Sequence, residues 1–111
     1  MSCQNLKWST SFRYTTGNSY KVPEIGGIYK VLRNDGEKDK MTRVYVGRAF
    51  HLRKRYLEHL SPNEQNSCLK RNLVNEDCYF KYALLSGEDN RIAAESHLLK
   101  EGTYECNKKE E

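Results

Sequence analysis

The sequence contains no long apolar run. No stretch approaches the roughly 20 consecutive apolar residues that a membrane-spanning helix needs. The N-terminus also lacks the pattern of positive charge followed by an apolar segment that marks a secretory leader. Hydrophobic residues make up 37% and charged residues 31% of the 111 positions, which is typical of a soluble domain with a polar surface. We therefore expect an intracellular protein, in the cytoplasm or with the nucleoid or nucleus, that has no membrane partner.

Cysteine pairs at metal-binding spacing are also missing. No CxxC pair occurs, and no histidine follows a cysteine at zinc-finger spacing. In a reducing cytosol isolated thiols stay reduced, so we expect buried or incidental thiols rather than zinc ligands. The cysteines concerned are Cys3, Cys68, Cys78 and Cys106.

Acidic residues are absent from one central segment. The whole chain has a net charge of +4, yet the stretch from Lys40 to Leu57 contains basic residues and no Asp or Glu. Concentrated positive charge attracts polyanions by releasing their counterions, which favours nucleic-acid binding. A solvated basic helix face is the alternative. The basic residues of this stretch are Lys40, Arg43, Arg48, Arg53, Lys54 and Arg55.

The length suits one compact domain, with a change of pattern near residue 25. Residues 1–24 are polar and irregular, and they predict an N-terminal extension or arm. Their aromatic residues, among them Tyr14, either pack on the domain or form that arm, and the pattern leaves both open. Residues 25–111 are expected to form the domain itself.

Alternating apolar residues after Gly26 predict two strands. Ile28 to Leu32 reads as the first strand, and the Asn34-Asp35-Gly36 stretch is a turn signal. Arg43 to Gly47 reads as the second, with Val44 and Val46 on one face and Tyr45 on the other. Strands joined locally in this way form an antiparallel hairpin.

Helical spacing and a third apolar segment follow. The pattern predicts helices over His51–Leu60 and Asn63–Asn75, a strand over Cys78–Leu85, and a helix from an Asn90 cap to Lys100, ended by Gly102. The expected order is β-β-α-α-β-α. The fold class is α/β of the α+β type, with a small three-stranded antiparallel sheet flanked by helices.

Glu95 falls among apolar residues of the last predicted helix. Ile92, Leu98 and Leu99 lie three or four positions away, where they share its face. A carboxylate on an apolar stripe costs free energy unless it is paired or holds a metal. The alternative is a boundary residue whose carboxylate reaches water.

Four segments taken in order resemble the GIY-YIG endonuclease superfamily. They read GGIYKV, RVYVG, AFHLRKRYLEH and AAESHLL, and the resemblance covers Gly27 to Asn107. It implies the GIY-YIG nuclease fold and metal-dependent cleavage of DNA, with RNA as the alternative substrate. The residues implied as catalytic are Tyr29, Tyr45, Arg55, His59 and Glu95. Asn107 lies where many members of the superfamily carry a C-terminal asparagine. The residues expected to bind nucleic acid are Arg43, Gly47, Arg48, His51, Arg53, Lys54 and Asn107, most of which belong to the basic segment described above.

The chemistry of phosphodiester hydrolysis suits these implied roles. Arg55 offers a permanent charge with bidentate geometry for phosphate oxygens. Glu95 is implied to hold the metal, Mg²⁺ or Mn²⁺, which would stabilise the leaving oxygen as a Lewis acid. Tyr29 is implied to activate the attacking water directly, which requires nearby positive charge to lower its pKa. We expect Tyr29, Tyr45, Arg55 and Glu95 to converge on one concave basic face.

The short chain leaves no room for a separate recognition domain, so a separate DNA-recognition protein or a homodimer is the expected partner. A nucleic-acid-binding module that does not cleave, or that needs a partner to do so, is the alternative function.

Overall fold

A computed structural model describes residues 6–36 and 40–107, and Cys3 lies outside this part of the chain. The described residues form an antiparallel sheet flanked by helices, which confirms the predicted fold class, but the sheet has a fourth, short strand. The elements are β1 Phe12–Arg13, a 3₁₀ helix Thr16–Lys21, β2 Gly27–Asn34, β3 Met41–Ala49, α1 Leu52–His59, α2 Ser67–Asn75, β4 Cys78–Leu84 and α3 Glu88–Glu101.

The sheet has the strand order β1-β4-β2-β3, and all neighbours are antiparallel. The predicted hairpin is confirmed as β2 and β3. Its register places Tyr29 directly opposite Gly47, so the segments GGIYKV and RVYVG are cross-strand partners. The hairpin therefore brings the two motifs together without help from the helices.

A β-bulge interrupts the hairpin. Val31 pairs with Tyr45 while Leu32 pairs with Arg43, which leaves Val44 as an extra residue in β3. An extra residue breaks the alternation of faces. Val44 and Tyr45 consequently contact the same core layer and Val46 the other, so the prediction that Val44 and Val46 share a face was wrong.

Two core layers lie on opposite faces of the sheet. Helices α1 and α2 cover one layer, in which Leu52, Tyr56 and Leu69 are fully buried. Helix α3 covers the other through Ala94 and Leu98. Because α1 and α3 lie on opposite faces, side chains from both can meet only at an edge of the sheet.

Most of the N-terminal aromatic residues pack on the domain, although Tyr20 is 70% exposed. The ring of Tyr14 stacks on Tyr56 at 4.3 Å between centroids, and its hydroxyl donates to the Tyr56 carbonyl at 3.0 Å. Tyr56 in turn donates its hydroxyl to the Thr15 carbonyl at 2.6 Å. Arg53 Nε donates to the Val22 carbonyl at 2.8 Å. These contacts hold residues 14–22 against α1.

Two helix starts differ from the predictions. α2 begins at Ser67 because Asn66 is its cap, with Oδ1 accepting the Leu69 N–H at 3.0 Å. α3 begins at Glu88 after Gly87, whose φ of 90° favours glycine. Asn90 is therefore not a cap, and its amide donates to the Ser86 carbonyl at 3.0 Å. The predicted end at Gly102 is confirmed.

The segment after α3 covers the free edge of β3. Backbone N–H groups of Glu105 and Cys106 donate to the carbonyls of Arg43 and Val44 at 3.1 and 2.7 Å. Cys106 is also joined to Cys68 in α2 by a disulfide, so the expectation of reduced thiols was wrong for this pair. Folding places the first turn of α2 beside the covering segment, which sequence spacing could not reveal.

Cys78 is a free, buried thiol, as expected. Among the described residues, no helix is long and apolar enough to cross a bilayer.

Candidate active site

Tyr29 lies at the centre of a buried hydrogen-bond chain. It is only 1% exposed, and its ring stacks on Phe80 at 5.5 Å between centroids. Its hydroxyl lies 2.7 Å from Nε2 of His59, in the last turn of α1. An ideal Cβ on Gly47 would lie 2.5 Å from this hydroxyl, so glycine opposite Tyr29 leaves the space that the phenol occupies.

Glu64 continues the chain on the other side of His59. Its Oε1 lies 2.7 Å from His59 Nδ1, and its Oε2 accepts the Asn66 N–H at 2.9 Å. A carboxylate acceptor assigns the proton of the neutral imidazole to Nδ1, which leaves Nε2 to accept from Tyr29. The sequence analysis missed Glu64, because an acidic residue in a polar loop five positions after a histidine carries no specific signal.

Burial sets the protonation states of this chain. It raises the pKa of Tyr29 well above its usual value, and the positive charge of Arg55 opposes the rise without reversing it. The expectation of a lowered Tyr29 pKa was therefore wrong for the protein by itself. Burial also lowers the pKa of His59, although Glu64 acts in the opposite direction. Near neutral pH the phenol is protonated and the imidazole is neutral.

Tyr45 connects the buried chain to the surface. Its ring lies 6.1 Å from that of Tyr29 and 5.7 Å from that of His59, measured between centroids. Burial raises its pKa, and a side-chain hydrogen bond with Tyr29 partly opposes this. Tyr45 lines two adjoining clefts, whereas Tyr29 lines neither. Tyr29 thus lies behind Tyr45 rather than at the surface that a substrate would meet.

The smaller cleft, of about 330 Å³, gathers residues from both faces of the sheet. Tyr45 and Arg48 come from β3, Arg55 from α1, and Glu88 and Glu95 from α3. The second cleft, of about 580 Å³, shares Tyr45 and Arg55 and extends to His59 and Glu64. The expected convergence holds for Tyr45, Arg55 and Glu95, but the surface is not uniformly basic because carboxylates line it as well.

The carboxylate of Glu95 is paired with an arginine and does not lie on an apolar stripe. Its Oε1 lies 2.5 Å from Arg48 Nη1, and its side chain is 19% exposed. Ile92 and Leu99 are 42% and 39% exposed, because the buried face of α3 runs through Arg91, Ala94 and Leu98. The apolar surroundings predicted for Glu95 were therefore wrong, whereas the expectation of a charged partner fits the structure.

The donor atoms near Glu95 are compatible with a hard divalent cation. Glu88 and Glu95 both offer carboxylate oxygens to the smaller cleft, and Mg²⁺ typically takes one or two carboxylates and completes its shell with water and phosphate oxygens. The described residues contain one compact trio of possible ligands elsewhere, Cys68, Glu105 and Cys106. Both sulfurs of this trio are joined in the disulfide and are not thiolate ligands.

Comparisons with known proteins agree with this architecture. No family model matches the chain. It is 31% identical over 97 residues to the UvrABC system protein C of Bacteroides fragilis, a match that covers 87% of this chain and 14% of the relative. The corresponding protein of Bacteroides thetaiotaomicron is 30% identical over 87 residues, covering 78% of this chain and 13% of the relative. The chain therefore spans about a seventh of the length of these relatives.

Solved structures resemble the chain over most of its length. The GIY-YIG N-terminal endonuclease domain of UvrC from Thermotoga maritima, bound to its catalytic divalent cation magnesium, has a TM-score of 0.64 at 22% identity. The match covers 83% of this chain and 93% of that domain. A point mutant of the same domain also gives 0.64, at 20% identity and 84% and 93% coverage. The chain has the GIY-YIG fold.

Several basic residues of this GIY-YIG domain have partners within the protein. Arg53 bonds to the Val22 carbonyl and lies 3.6 Å from Glu24, so it holds the N-terminal segment. His51 caps α1, and its Nδ1 accepts the Lys54 N–H at 3.2 Å. Arg43 lies over the ring of Tyr104. Lys54 is exposed, and binding of nucleic acid by these four residues stays a prediction.

Asn107 has a clear place in the GIY-YIG domain. Its Oδ1 accepts the Val46 N–H at 2.8 Å, and its Nδ2 donates to the Val46 carbonyl at 2.9 Å. The side-chain amide therefore completes the edge of β3 as an added strand residue would. This contact supports a structural role, and the predicted role in nucleic-acid binding stays a prediction.

Proposed function

We propose that this GIY-YIG domain is a metal-dependent endonuclease that hydrolyses phosphodiester bonds of DNA. The observation that carries the proposal is the meeting of Tyr45, Arg55 and Glu95 in one cleft, with the Tyr29–His59–Glu64 chain behind it. The solved Thermotoga maritima domain of the same fold supports it, since that domain is an endonuclease domain bound to its catalytic divalent cation.

Arg55 is the proposed phosphate ligand. Its side chain is 46% exposed and lines both clefts, and its ion pair with Glu58 is a half-exposed contact over 3.1 Å. Such a surface pair is worth little, so a phosphate can replace it at small cost. The planar guanidinium then binds two phosphate oxygens and stabilises the charge that they gather as the ester is cut.

Glu95 is the proposed metal ligand, with Glu88 available in the same cleft. A divalent ion bound there, Mg²⁺ or Mn²⁺, would supply Lewis-acid stabilisation of the leaving oxygen. Tyr45 lines the same cleft, and it comes from β3 whereas Glu95 comes from α3. A phosphate bound in this cleft would therefore lie near a carboxylate, a phenol and a guanidinium.

The buried chain offers a path for the proton of the attacking water. Tyr45 faces the cleft, Tyr29 lies behind it, and the neutral His59 presents Nε2 as the final acceptor. We propose that Tyr45 receives the water proton as it passes its own to Tyr29, which passes one to His59. The Glu64 carboxylate then stabilises the imidazolium that results. Neither phenol has to be anionic at rest, which agrees with their raised pKa values.

The partner of this domain also belongs to the proposal. We propose a separate DNA-recognition protein or a second copy of this chain as the partner that contributes recognition of DNA sequence or DNA structure. RNA is the alternative substrate. An intracellular location, where nucleic acid and magnesium are both available, fits this function.

The test is a nicking assay on supercoiled plasmid, single-stranded DNA and branched DNA. Cleavage is expected with Mg²⁺ or Mn²⁺ and not with chelator. Arg55→Ala and Glu95→Gln should each lower the rate by about 100-fold or more, the loss typical of removing one group that stabilises the transition state. Arg13→Gln is the matched control, since Arg13 is exposed and pairs with Asp77 at the opposite edge of the sheet.

Salt-sensitive binding without nicking, in every metal tested, would contradict the nuclease and support the non-cleaving module. Full activity of Glu95→Gln after metal is added back would contradict the proposed metal ligand while leaving the nuclease in place.

A further inference from the structure

One guanidinium bridges the two carboxylates of the smaller cleft. Arg48 directly follows Gly47, and its Nη1 lies 2.5 Å from Glu95 Oε1 while its Nε lies 3.8 Å from Glu88 Oε2. Both glutamates are on α3, so a single side chain from the edge strand spans two of its turns. Arg48 thereby neutralises the carboxylate oxygens proposed to meet the metal.

A guanidinium and a divalent ion cannot use the same carboxylate oxygen without cost. Both are cations, and at contact distance they repel each other strongly in a cleft partly shielded from water. Glu95 is only 19% exposed, so little of its carboxylate is open on another side. Metal binding at Glu95 therefore requires Arg48 to give up part or all of its contact.

Arg48 could also pair with a phosphate bound in the same cleft. It lines the cleft together with Arg55, the proposed phosphate ligand, and its side chain is 39% exposed. A phosphate bound between the two arginines can accept two parallel N–H bonds from the Arg48 fork, a geometry that suits arginine. The guanidinium would then exchange a carboxylate for a phosphate without losing its charge pairing.

We propose that Arg48 competes with the divalent cation for Glu95 and releases this carboxylate when a nucleic-acid phosphate takes its place. Arg48 is then a positioning residue that couples metal binding and nucleic-acid binding, so that each raises the affinity for the other. The inference rests on the proposed function, and it adds an order of assembly: the complete metal site forms on the bound strand. By linkage, the metal strengthens nucleic-acid binding by the same factor as nucleic acid strengthens metal binding.

The first experiment measures Mn²⁺ binding to the whole chain without nucleic acid, by electron paramagnetic resonance of the free ion. Arg48→Gln should bind Mn²⁺ about fivefold more tightly than the unchanged protein, the factor that corresponds to losing a half-exposed ion pair. Arg48→Lys keeps the competing charge and should bind as the unchanged protein does. Arg13→Gln removes a charge far from the cleft and should also change nothing. Thermal unfolding of each variant verifies that it is folded.

The second experiment repeats the titration with a saturating short DNA duplex. Glu95→Gln gives the background of Mn²⁺ bound by the DNA itself. The duplex should tighten Mn²⁺ binding by about fivefold in the unchanged protein and by much less in Arg48→Gln.

Two results would overturn the inference in different ways. If Arg48→Gln binds Mn²⁺ no more tightly than the unchanged protein, although Glu95→Gln abolishes binding, the metal site stands and the competition is wrong. If Glu95→Gln leaves Mn²⁺ binding intact, the proposed metal site fails and the competition fails with it.

Discussion

The hydroxyl of Tyr29 donates a 2.7 Å hydrogen bond to Nε2 of His59. The pairing is possible because Glu64 holds the other ring nitrogen at 2.7 Å, so the imidazole has one defined acceptor. All three side chains are buried or nearly so. In the proposed mechanism, a proton that enters at Tyr45 would reach His59, which is only 6% exposed, so the protonation state of His59 should control cleavage.

The first prediction concerns the pH dependence of cleavage. Burial lowers the pKa of His59 below its ordinary value of 6.5, so His59 stays neutral as the pH falls through 6.5 and is protonated only below it. Cleavage should therefore persist at pH 6.5 and decline at lower pH. In Glu64→Gln the carboxylate that raises the His59 pKa is gone, so the decline should begin at still lower pH. The maximal rate should drop about tenfold or more, because a glutamine amide can donate to Nδ1 as well as accept from it and supplies no charge to stabilise the imidazolium.

The measurement is a pH–rate profile at constant ionic strength. Glu101→Gln is the control, since Glu101 pairs with His97 and not with His59. A decline centred above 6.5 in the unchanged protein, or an identical profile in Glu64→Gln, would rule out His59 as the proton acceptor.

The second prediction concerns the glycine opposite Tyr29. In Gly47→Ala the new Cβ would lie 2.5 Å from the Tyr29 hydroxyl and 2.6 Å from its ring carbon, so the phenol must leave the position in which it pairs with His59. We expect a loss of about 1–3 kcal/mol of unfolding free energy, typical of overpacking, together with a large loss of cleavage.

Gly17→Ala provides the matched substitution, because its Cβ would meet only Thr15 Oγ1 at 3.9 Å. It should change stability by less than about 0.5 kcal/mol. Urea unfolding and the nicking assay measure both variants, and an active, equally stable Gly47→Ala protein would contradict the packing described.

Much of the fold followed from local patterns. The hairpin, α1 and the last strand were predictable because each is encoded by consecutive residues with a clear period. The contact of Glu64 with His59 was not predictable, since it depends on how the loop after α1 folds back over His59. The Cys68–Cys106 disulfide was missed for a similar reason, because only the completed fold brings these residues together.

The environment of Glu95 shows a different limit. Helical spacing correctly placed Leu98 near it, but which side of a helix is buried depends on what packs against it. In α3 the sheet takes the face of Ala94 and Leu98, which turns Glu95 toward Arg48 at the cleft. Burial of a whole tyrosine behind another, as for Tyr29, was likewise beyond what strand alternation could predict.

The third prediction separates two roles for Asn107. If its amide mainly completes the edge of β3, Asn107→Ala should lose about 1–2 kcal/mol of unfolding free energy, the value of two partly exposed hydrogen bonds. Asn107→Asp should be no better, because a carboxylate oxygen would face the Val46 carbonyl. Urea unfolding measures the loss. Unchanged stability with weaker DNA binding would instead favour the role in nucleic-acid binding.

The fourth prediction concerns the disulfide between α2 and the segment that covers β3. Its cysteines are 38 positions apart, and closing a loop of that length stabilises a protein by about 4 kcal/mol in the chain-entropy model. Cys106→Ser, or treatment with reductant, should lower the unfolding free energy by up to that amount.

Peptide mapping after alkylation of the unreduced, denatured protein gives an independent check. Cys78 should be modified, while Cys68 and Cys106 should not. Reductant should have no further effect on the stability of Cys106→Ser, and a further loss there would indicate a different pairing.

The bulge at Val44 determines where this domain can tolerate a change of length. Asp35, Gly36 and Lys40, which lie between the two strands of the hairpin, are exposed, and residues inserted between Gly36 and Lys40 leave the strand register intact. Deleting Val44 would restore strict alternation and turn the residues on one side of it to the opposite face. If the residues after the deletion turned over, Tyr45 and Gly47 would no longer lie beside Tyr29. If the residues before it turned over, the first part of β3 would lose its contacts with the core. Related chains should therefore differ in the length of the turn and agree on the extra residue before the second tyrosine.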